Sequence, residues 1–514
     1  MAVKMFASIS VGSFETEMKI FEFTARKGMR EIDRVSTRLD LGIDVYKTRR
    51  ISTGKTEELC QVLKDFKRIM EGYRVEDYKI CATSAFRESR NMVVLLDYIE
   101  KQTGLAIEVL SNSEQRFLDY KAIASVTTEF ESIIQGATAI VDLGGSSMQI
   151  SLFDKDKLIT TQNIRIGNVS TREKLLPYEK NRMHFAKMVT ELLNHEFAGF
   201  NKLYQKDRQI KNLIVVGGSL RDLMKQYETA NKKIISVSRE QFLEIYEKAV
   251  CMTPDEVTSC FDISSENTLV IVPSAIYCKC MIENFGVETM WFPGFSLSDG
   301  IAYDYGEKQK LTRCSHDFEE DIIASARSIS KRYKCSQAHV RNLEEIALTV
   351  FDRMKKVHGL TRRDRLLLQI SVILHNCGKF ISLENVSECA YNIIMATEII
   401  GLSHMEREMV AYTVKFNTSP FPDYEEFDMD AGADPDVYMR VAKLTAILRL
   451  VNALDRTHQQ KCSDVTVVLK ENELRITAAT RQDLTLEANT FAEKAGFFEE
   501  VFHVHPVFRQ KKTY

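Results

Sequence analysis

Twice in this chain an apolar strand runs into a turn of small residues and returns as a second strand. The first instance joins residues 6–10 to 18–23 through Gly12 and Ser13, and the second joins residues 139–143 to 148–153 through Gly144 and Gly145. Such runs suit buried strands, and a turn without bulky side chains lets a ligand or another backbone come close. Helix-like and strand-like stretches alternate after each hairpin. Leu59, Leu63, Phe66 and Met70 recur at helical spacing, and strands are predicted at residues 78–83, 106–110, 213–216 and 269–272. A chain that starts the same cycle twice is expected to fold as two α/β lobes, here residues 1–125 and 126–308.

Beyond residue 310 the period changes. Leu343, Ile346, Ala347, Val350, Phe351 and Met354 form an apolar stripe at helical spacing, and similar stripes cover residues 366–374 and 441–454. They define a helical domain at residues 309–460. Strands predicted at residues 465–469, 474–477 and 484–487 make a small α/β cap of residues 461–514. At 514 residues the chain is too long for one core, so several domains are expected. Two lobes flanking a cleft describe the ribonuclease H-like architecture of sugar kinases, actin and the heat-shock ATPases.

Composition narrows the setting. A formal net charge of -3 offers no global attraction to nucleic acid or to an acidic membrane. The sequence has no run of about 18 apolar residues that would span a bilayer, and its first residues read as strand rather than signal peptide. Eleven cysteines without a C-x-x-C pair read as reduced thiols. A cytoplasmic protein with no specific nucleic-acid partner and no membrane contact is expected.

Four segments carry candidate chemistry. VDLGGSSMQ (residues 141–149) delivers Asp142 to a turn of Gly144, Gly145, Ser146 and Ser147. Successive amide N–H groups in such a turn can cradle phosphate oxygens, and Asp142 can hold a divalent cation directly or through water. A plain β-hairpin accounts for the same residues. Gly217, Gly218 and Ser219 repeat the device after an Ile-Val-Val strand, where the next helix adds its N-terminal dipole. ATSAFRESRN (residues 82–91) sets Arg87 early in a helix, within reach of a phosphate or simply in solvent. SNSEQRFLDY (residues 111–120) sets Glu114 in a first helical turn, where a carboxylate also complements the dipole.

In order and spacing, ATSAFRESRN, LSNSEQ, VDLGGSSMQ and VVGGS resemble the exopolyphosphatase/guanosine pentaphosphatase family. The resemblance continues through LLLQISVILHNCGKFIS, LSHMEREMVAYTVKFN, KLTAILRLVNALDRTH and FFEEVF, and so covers essentially the whole chain. It implies a phosphate chain bound between the lobes. It also implies release of the terminal phosphate of inorganic polyphosphate, or the γ-phosphate of guanosine pentaphosphate, with Mg2+ or another divalent cation. Glu114 matches the family's general base, which activates water for in-line attack, and Asp142 joins it as a catalytic and metal-binding carboxylate. Gln149 would be a weak metal ligand. Gly12, Ser13, Arg87, Gly144, Gly145, Ser146, Ser147, Gly217, Gly218 and Ser219 match phosphate-binding positions. Analogy with relatives adds a homodimer.

The chain departs from the family pattern at two turns. Where the family reads Asp-x-Gly-Ser-Asn-Ser, this chain has Ser10, Val11, Gly12, Ser13, Phe14 and Glu15, and the Glu that usually ends the second turn is Gln149. Hard cations depend on anionic oxygen ligands, so these losses should weaken metal binding. Polyphosphate hydrolysis is the first expectation and guanosine pentaphosphate 5′-hydrolysis its alternative. A catalytically weakened regulator that binds polyphosphate or nucleotide is the third. In the helical domain, His339, His375, Asn376 and Asn452 match the positions where an HD-type metal site presents His, His-Asp and Asp. With both aspartates replaced by Asn, satisfied structural residues are expected rather than a second active site. Basic clusters at residues 47–50, 331–334, 362–363 and 509–512 read as solvated faces, or as a polyanion path if they converge.

Overall fold

Both hairpins form, and each seeds a sheet. β1 (Lys4–Val11) pairs antiparallel with β2 (Glu15–Thr24), and Gly12 N donates to Glu15 O across the turn at 2.9 Å. β3 (Gly28–Arg38) continues from β2, while β4 (Asp77–Ala82) and β5 (Glu108–Val109) add parallel to β1, in the order β3-β2-β1-β4-β5. The second sheet repeats the plan. β6 (Thr138–Leu143), β7 (Met148–Asp154) and β8 (Lys157–Ile164) form an antiparallel meander, and β9 (Asn212–Val216) adds parallel to β6. β10 (Ile235–Ser238) and β11 (Thr289–Phe292) complete the order β10-β11-β9-β6-β7-β8. These elements come from a computed structural model that describes residues 3–24, 28–124, 128–155, 157–178, 182–206, 208–217, 219–229, 234–263, 268–312, 316–429, 434–462 and 464–511.

The chain divides into two compact units, Met1–Phe318 and Glu319–Tyr514. In the first, Leu59, Leu63 and Phe66 of the helix Thr53–Gly72 pack beneath the first sheet. Val189, Leu193 and Phe197 of the helix Arg182–Phe200 pack with the second. A third cluster joins Phe6, Phe21 and Phe23 to Leu118 and Ile301, so the helices Asn112–Ala124 and Leu297–Lys308 cross on the first sheet's other face. That crossing needs a glycine. A β-carbon built at Gly300 would lie 2.1 Å from the Leu118 carbonyl oxygen.

Two predicted strands are helical instead. Residues 269–272 lie in the helix Thr268–Phe285, which carries Pro273 in its interior. A short run of β-branched residues cannot be told from one turn of a fully buried helix by periodicity alone, and burial on all sides decided here. Residues 484–487 start the helix Thr485–Phe502. In the second unit β12 (Val465–Lys470) pairs with β13 (Glu473–Ala479), and the third strand is β14 (His505–Lys511). The predicted stripes form the helices Gln337–Arg353, Arg362–Leu374 and Pro435–Ala453, with His404–Lys415 beside them. The observed division at Phe318 falls ten residues past the boundary expected from periodicity. Among the described residues no helix is long and apolar enough to cross a membrane, and all described cysteines are free thiols.

Candidate active site

Contacts among the turns of the first unit close into a ring. Its first link is the pair of hairpin turns, because a β-carbon built at Gly145 would lie 3.1 Å from Ser13 Cβ. A side chain there would make its neighbour give by a few tenths of an ångström. The Ser13 hydroxyl lies 2.7 Å from the Ser84 hydroxyl, and Ser84 opens the one-turn helix Ser84–Arg87. Arg87 Nη1 donates to the Leu110 carbonyl. The next residue, Ser111, caps the helix Asn112–Ala124. Ser111 N donates to Glu114 Oε2 at 3.0 Å and Glu114 N donates to Ser111 Oγ at 3.2 Å, a reciprocal capping box. One residue on, Gln115 Nε2 donates to Asp142 Oδ2 at 2.9 Å. Asp142 is the penultimate residue of β6, two before Gly144, and the ring is complete.

The first turn of that helix therefore lies across the ends of β6 and β7. Gln149 is the cross-strand partner of Asp142, and its Oε1 accepts from Arg116 Nε at 2.8 Å. Asp119, nearly fully buried, lines the same enclosed cavity of about 10 Å³ as Arg116, Asp142 and Gln149. That volume holds about one water molecule. Asp142 keeps some solvent exposure, yet protein packed around the carboxyl pushes it up to about 6. Arg116, the Gln115 hydrogen bond and Arg87 oppose that rise. Burial, then the charge of Asp142, raises Asp119 well above the usual carboxylate range, with Arg116 opposing.

The sequence matches the Ppx/GppA phosphatase family over residues 20–309 and domain III of that family over residues 323–494. The chain belongs to the Ppx/GppA phosphatase family. A bifunctional 3-dehydroquinate synthase/phosphatase of Fusobacterium nucleatum is 23% identical over 296 residues, 54% of this chain and 43% of that protein, so the chain spans less than half of its length. A solved exopolyphosphatase from Cytophaga hutchinsonii superposes with a TM-score of 0.51 at 17% identity, covering 60% of this chain and 100% of that one. A Ppx/GppA family member from Aquifex aeolicus gives 0.49 at 21% identity, covering 62% of this chain and 100% of that one. The fold is thus the two-lobed one the turns suggest, followed by helices and a small terminal sheet.

The first turn of this Ppx/GppA protein is crowded. Gly42 N donates to Ser13 O at 2.7 Å, which draws the helix Leu41–Thr48 over the turn. Tyr46 of that helix reaches Gly145, where a built β-carbon would lie 2.8 Å from its hydroxyl oxygen. The buried Tyr46 hydroxyl stands close to Ser13, Ser84 and Ser146, but no side chain aligns to hydrogen-bond it, and the Ser146 hydroxyl is likewise buried without a partner. Lys47 pairs with Glu173 at 3.1 Å, tying this helix to the second lobe. Ser147 is also buried. Phe14 lies under Arg38, with the guanidinium carbon 4.7 Å from the ring centroid, and Ser10 Oγ accepts from Ser298 Oγ at 3.2 Å. Burial first, and Glu17 second, holds the Glu15 carboxyl above its usual range.

The third turn shares this sheet edge. Val216 pairs with Asp142, and Gly217 follows it with φ +107°. Gly218 lies outside the described residues, and Ser219 begins the short helix Ser219–Leu223.

In the helical unit the two histidines meet, but Asn452 does not join them. His339 Nε2 lies 3.2 Å from His375 Nε2, while His339 Nδ1 bonds Asp455 Oδ2 at 2.7 Å. Asp455 thus fills the place expected for Asn452, which lines a separate cavity with Arg449 and Lys494. Asn376 Nδ2 donates to His375 Nε2 at 2.7 Å, and His375 Nδ1 bonds the Val372 carbonyl at 2.7 Å. His458 stacks on His339 with centroids 3.6 Å apart. Both ring nitrogens of His375 thus have neighbours within the protein. Four residues of the basic clusters are drawn into local pairs, Lys47 with Glu173, Arg49 with Glu88, Arg363 with Glu406 and Arg362 with Glu319. Lys512 lies outside the described residues.

Sequence reasoning passed over Gln115, Arg116, Asp119, Tyr46 and Asp455. Gln115, Arg116 and Asp119 stand in the same motif as Glu114. Gln115 to Asp119 is an i, i+4 step, and polar residues on a face otherwise carrying Leu118 and Tyr120 were the available signal.

Proposed function

We propose that the two-lobed unit hydrolyses phosphoanhydride bonds at the end of inorganic polyphosphate. The ring from Gly145 through Ser13, Ser84, Arg87 and Glu114 to Asp142 is the observation that supports this reading. Turn amides and Arg87 would grip the equatorial oxygens of the terminal phosphoryl group. Glu114 would orient the attacking water. One of its oxygens is spent on the capping box, and the other makes no hydrogen bond among the described residues. An anionic base can do this without a covalent intermediate.

A divalent cation suits the donor set here in one respect. Asp142 and Asp119 line one enclosed cavity, and burial first holds both carboxyls above their ordinary range, a shift that a nearby cation would oppose. Asp142 would hold it, with the Gln149 amide oxygen as a neutral donor. When bound, such a cation would neutralise charge developing on phosphoryl oxygens. Among the described residues no three His, Cys, Asp or Glu side chains converge as a ready-made metal site.

Purified protein with magnesium, offered polyphosphate of several lengths, guanosine pentaphosphate and ATP, tests the reading by phosphate release. Fastest release from polyphosphate is expected. Fastest release from ATP would overturn the proposal, and preference for guanosine pentaphosphate would move it to the sister activity. Glu114→Gln keeps an N3 side chain able to cap the helix, so it isolates the charge. Loss of about 10²–10⁴-fold in rate is expected for a general base.

A second reading has its own observation. Tyr46 and Ser13 close on Gly145, and Gln149 is bound to Arg116 instead of contributing charge. A protein that binds phosphate chains without turnover would look like this. Tight polyphosphate binding with no phosphate release would select it.

A further inference from the structure

Where three helices of the second unit meet, a cavity of about 230 Å³ opens between residues 417–418, the end of the helix Pro435–Ala453 and the middle of the helix Thr485–Phe502. Arg449, Arg456 and Lys494 line it, against a single carboxylate, Glu493. We propose that this cavity binds a compact phosphate-bearing anion of diphosphate size.

The site is built on a fixed cation. Arg449 Nε donates to the Phe416 carbonyl at 2.6 Å, its Nη2 donates to the Ser419 carbonyl, and its guanidinium carbon lies 4.6 Å from the Phe497 ring centroid. These contacts satisfy carbonyls at the end of the helix His404–Lys415 that would otherwise repel an anion. They hold the guanidinium plane in one orientation, so little side-chain freedom remains to be lost when an anion arrives.

Three further polar side chains of the lining wait without partners. Arg456, Lys494 and the Asn452 side chain make no hydrogen bond or ion pair with any described residue. Asn417, 4% exposed, lines the cavity with a buried Oδ1 that has no hydrogen-bond partner. Buried polar atoms are normally satisfied, and an orphan at the wall of a polar cavity marks a place for a ligand or ordered water. The orphan is an acceptor, so it suits an ordered water or a protonated phosphate oxygen, and the cations supply the contacts to the ionised oxygens. Arg456 and Lys494 beside the fixed Arg449 guanidinium give the charge and fork geometry that phosphate recognition uses. Glu493 and the carbonyl end of the helix Pro435–Ala453 oppose a long, uniformly charged chain and leave room for a short one. The cavity is also smaller than the roughly 300 Å³ lower bound for drug-sized ligands.

The experiment uses the full chain and inorganic pyrophosphate. Lys494 is labelled with an amine-reactive reagent and followed by mass spectrometry at rising pyrophosphate, with Lys187 and Lys248 of the first unit as internal references. Protection of Lys494 by at least fivefold, with the references unchanged, is expected. The double variant Arg456→Gln/Lys494→Gln should lose one pyrophosphate equivalent by calorimetry, with its melting temperature within about a degree of the parent. Equal reactivity of Lys494 with and without pyrophosphate overturns the proposal. So does protection by sodium sulfate at the same ionic strength as strong as that by pyrophosphate, which would mark nonspecific screening. Unchanged stoichiometry in a folded double variant overturns it too. None of these readouts depends on hydrolysis, so failure of the proposed activity leaves this site to be judged alone.

Discussion

Gln149 Oε1 accepts a hydrogen bond from Arg116 Nε at 2.8 Å, directly across the strand pair from Asp142. The neutral amide holds the guanidinium in place but supplies no charge. Changing Gln149→Glu turns the contact into an ion pair and puts a second carboxylate opposite Asp142. Hard cations respond to exactly that kind of added anionic oxygen. Magnesium affinity should rise by about tenfold, roughly 1.4 kcal/mol, read by calorimetry. An unchanged affinity would show that Arg116, not the missing charge, limits the site.

Asp142 makes a prediction about pH. Its native carboxyl is pushed up to about 6 from an ordinary 3.8, chiefly by burial. The folded chain then binds the proton more tightly than the unfolded chain. The stability this group allows is fullest below 3.8 and is lost as pH rises through about 6. Asp142→Asn removes the titration and should raise the melting temperature at pH 7.5, with the gain shrinking toward pH 4. Activity should fall at every pH. A variant less stable than the parent at pH 7.5 would contradict the burial argument. Added magnesium should narrow the gap by stabilising the parent alone.

Tyr46 and Gly145 are coupled by contact. A methyl group at 145 would meet the Tyr46 hydroxyl at 2.8 Å and Ser13 Cβ at 3.1 Å. Gly145→Ala should therefore cost about 1–3 kcal/mol by overpacking. Tyr46→Phe removes a buried hydroxyl that lacks a partner, and should be neutral or stabilising by up to about 1 kcal/mol. The double variant should recover part of the loss, because the nearest clashing atom has gone. Denaturant melts of the four proteins form the cycle. Strict additivity would place Tyr46 elsewhere in solution.

The sequence exposed the hairpins, the helical stripes and the turns because those signals are local. Gly144 and Gly145 show themselves wherever they stand. What Gly145 meets does not, since Ser13 and Tyr46 arrive from another lobe through tertiary packing. β3 was passed over because GMREIDRVSTR is a strand with charged residues and no fully buried position, which periodicity reads as loop. Residues 269–272 misled for the opposite reason, being apolar without any period. At the expected HD-type position, Asn452 and Asp455 lie one helical turn apart, and spacing alone favoured the wrong one. The helix Pro435–Ala453 stops between them, so that Asp455 sits on the loop that turns back to His339.

That histidine cluster should make the helical unit sensitive to acid. His375 is held down to about 3 and His458 to about 4, both chiefly by burial, with the neighbouring His339 next. An unfolded histidine takes a proton near 6.5. Native rings resist protonation below that, so the stability they contribute is complete above pH 6.5 and declines as pH falls toward 4 and then 3. Thermal melts between pH 7.5 and 4 should show this loss. His458→Phe preserves a flat ring over His339, which the native side chain stacks at 3.6 Å and 6°, and removes one titrating group. Its melting temperature should fall less steeply between pH 6.5 and 4 than the parent's. A steeper fall would mean that the His458 contact with Lys379 Nζ at 3.4 Å matters more than the cost of charging the ring.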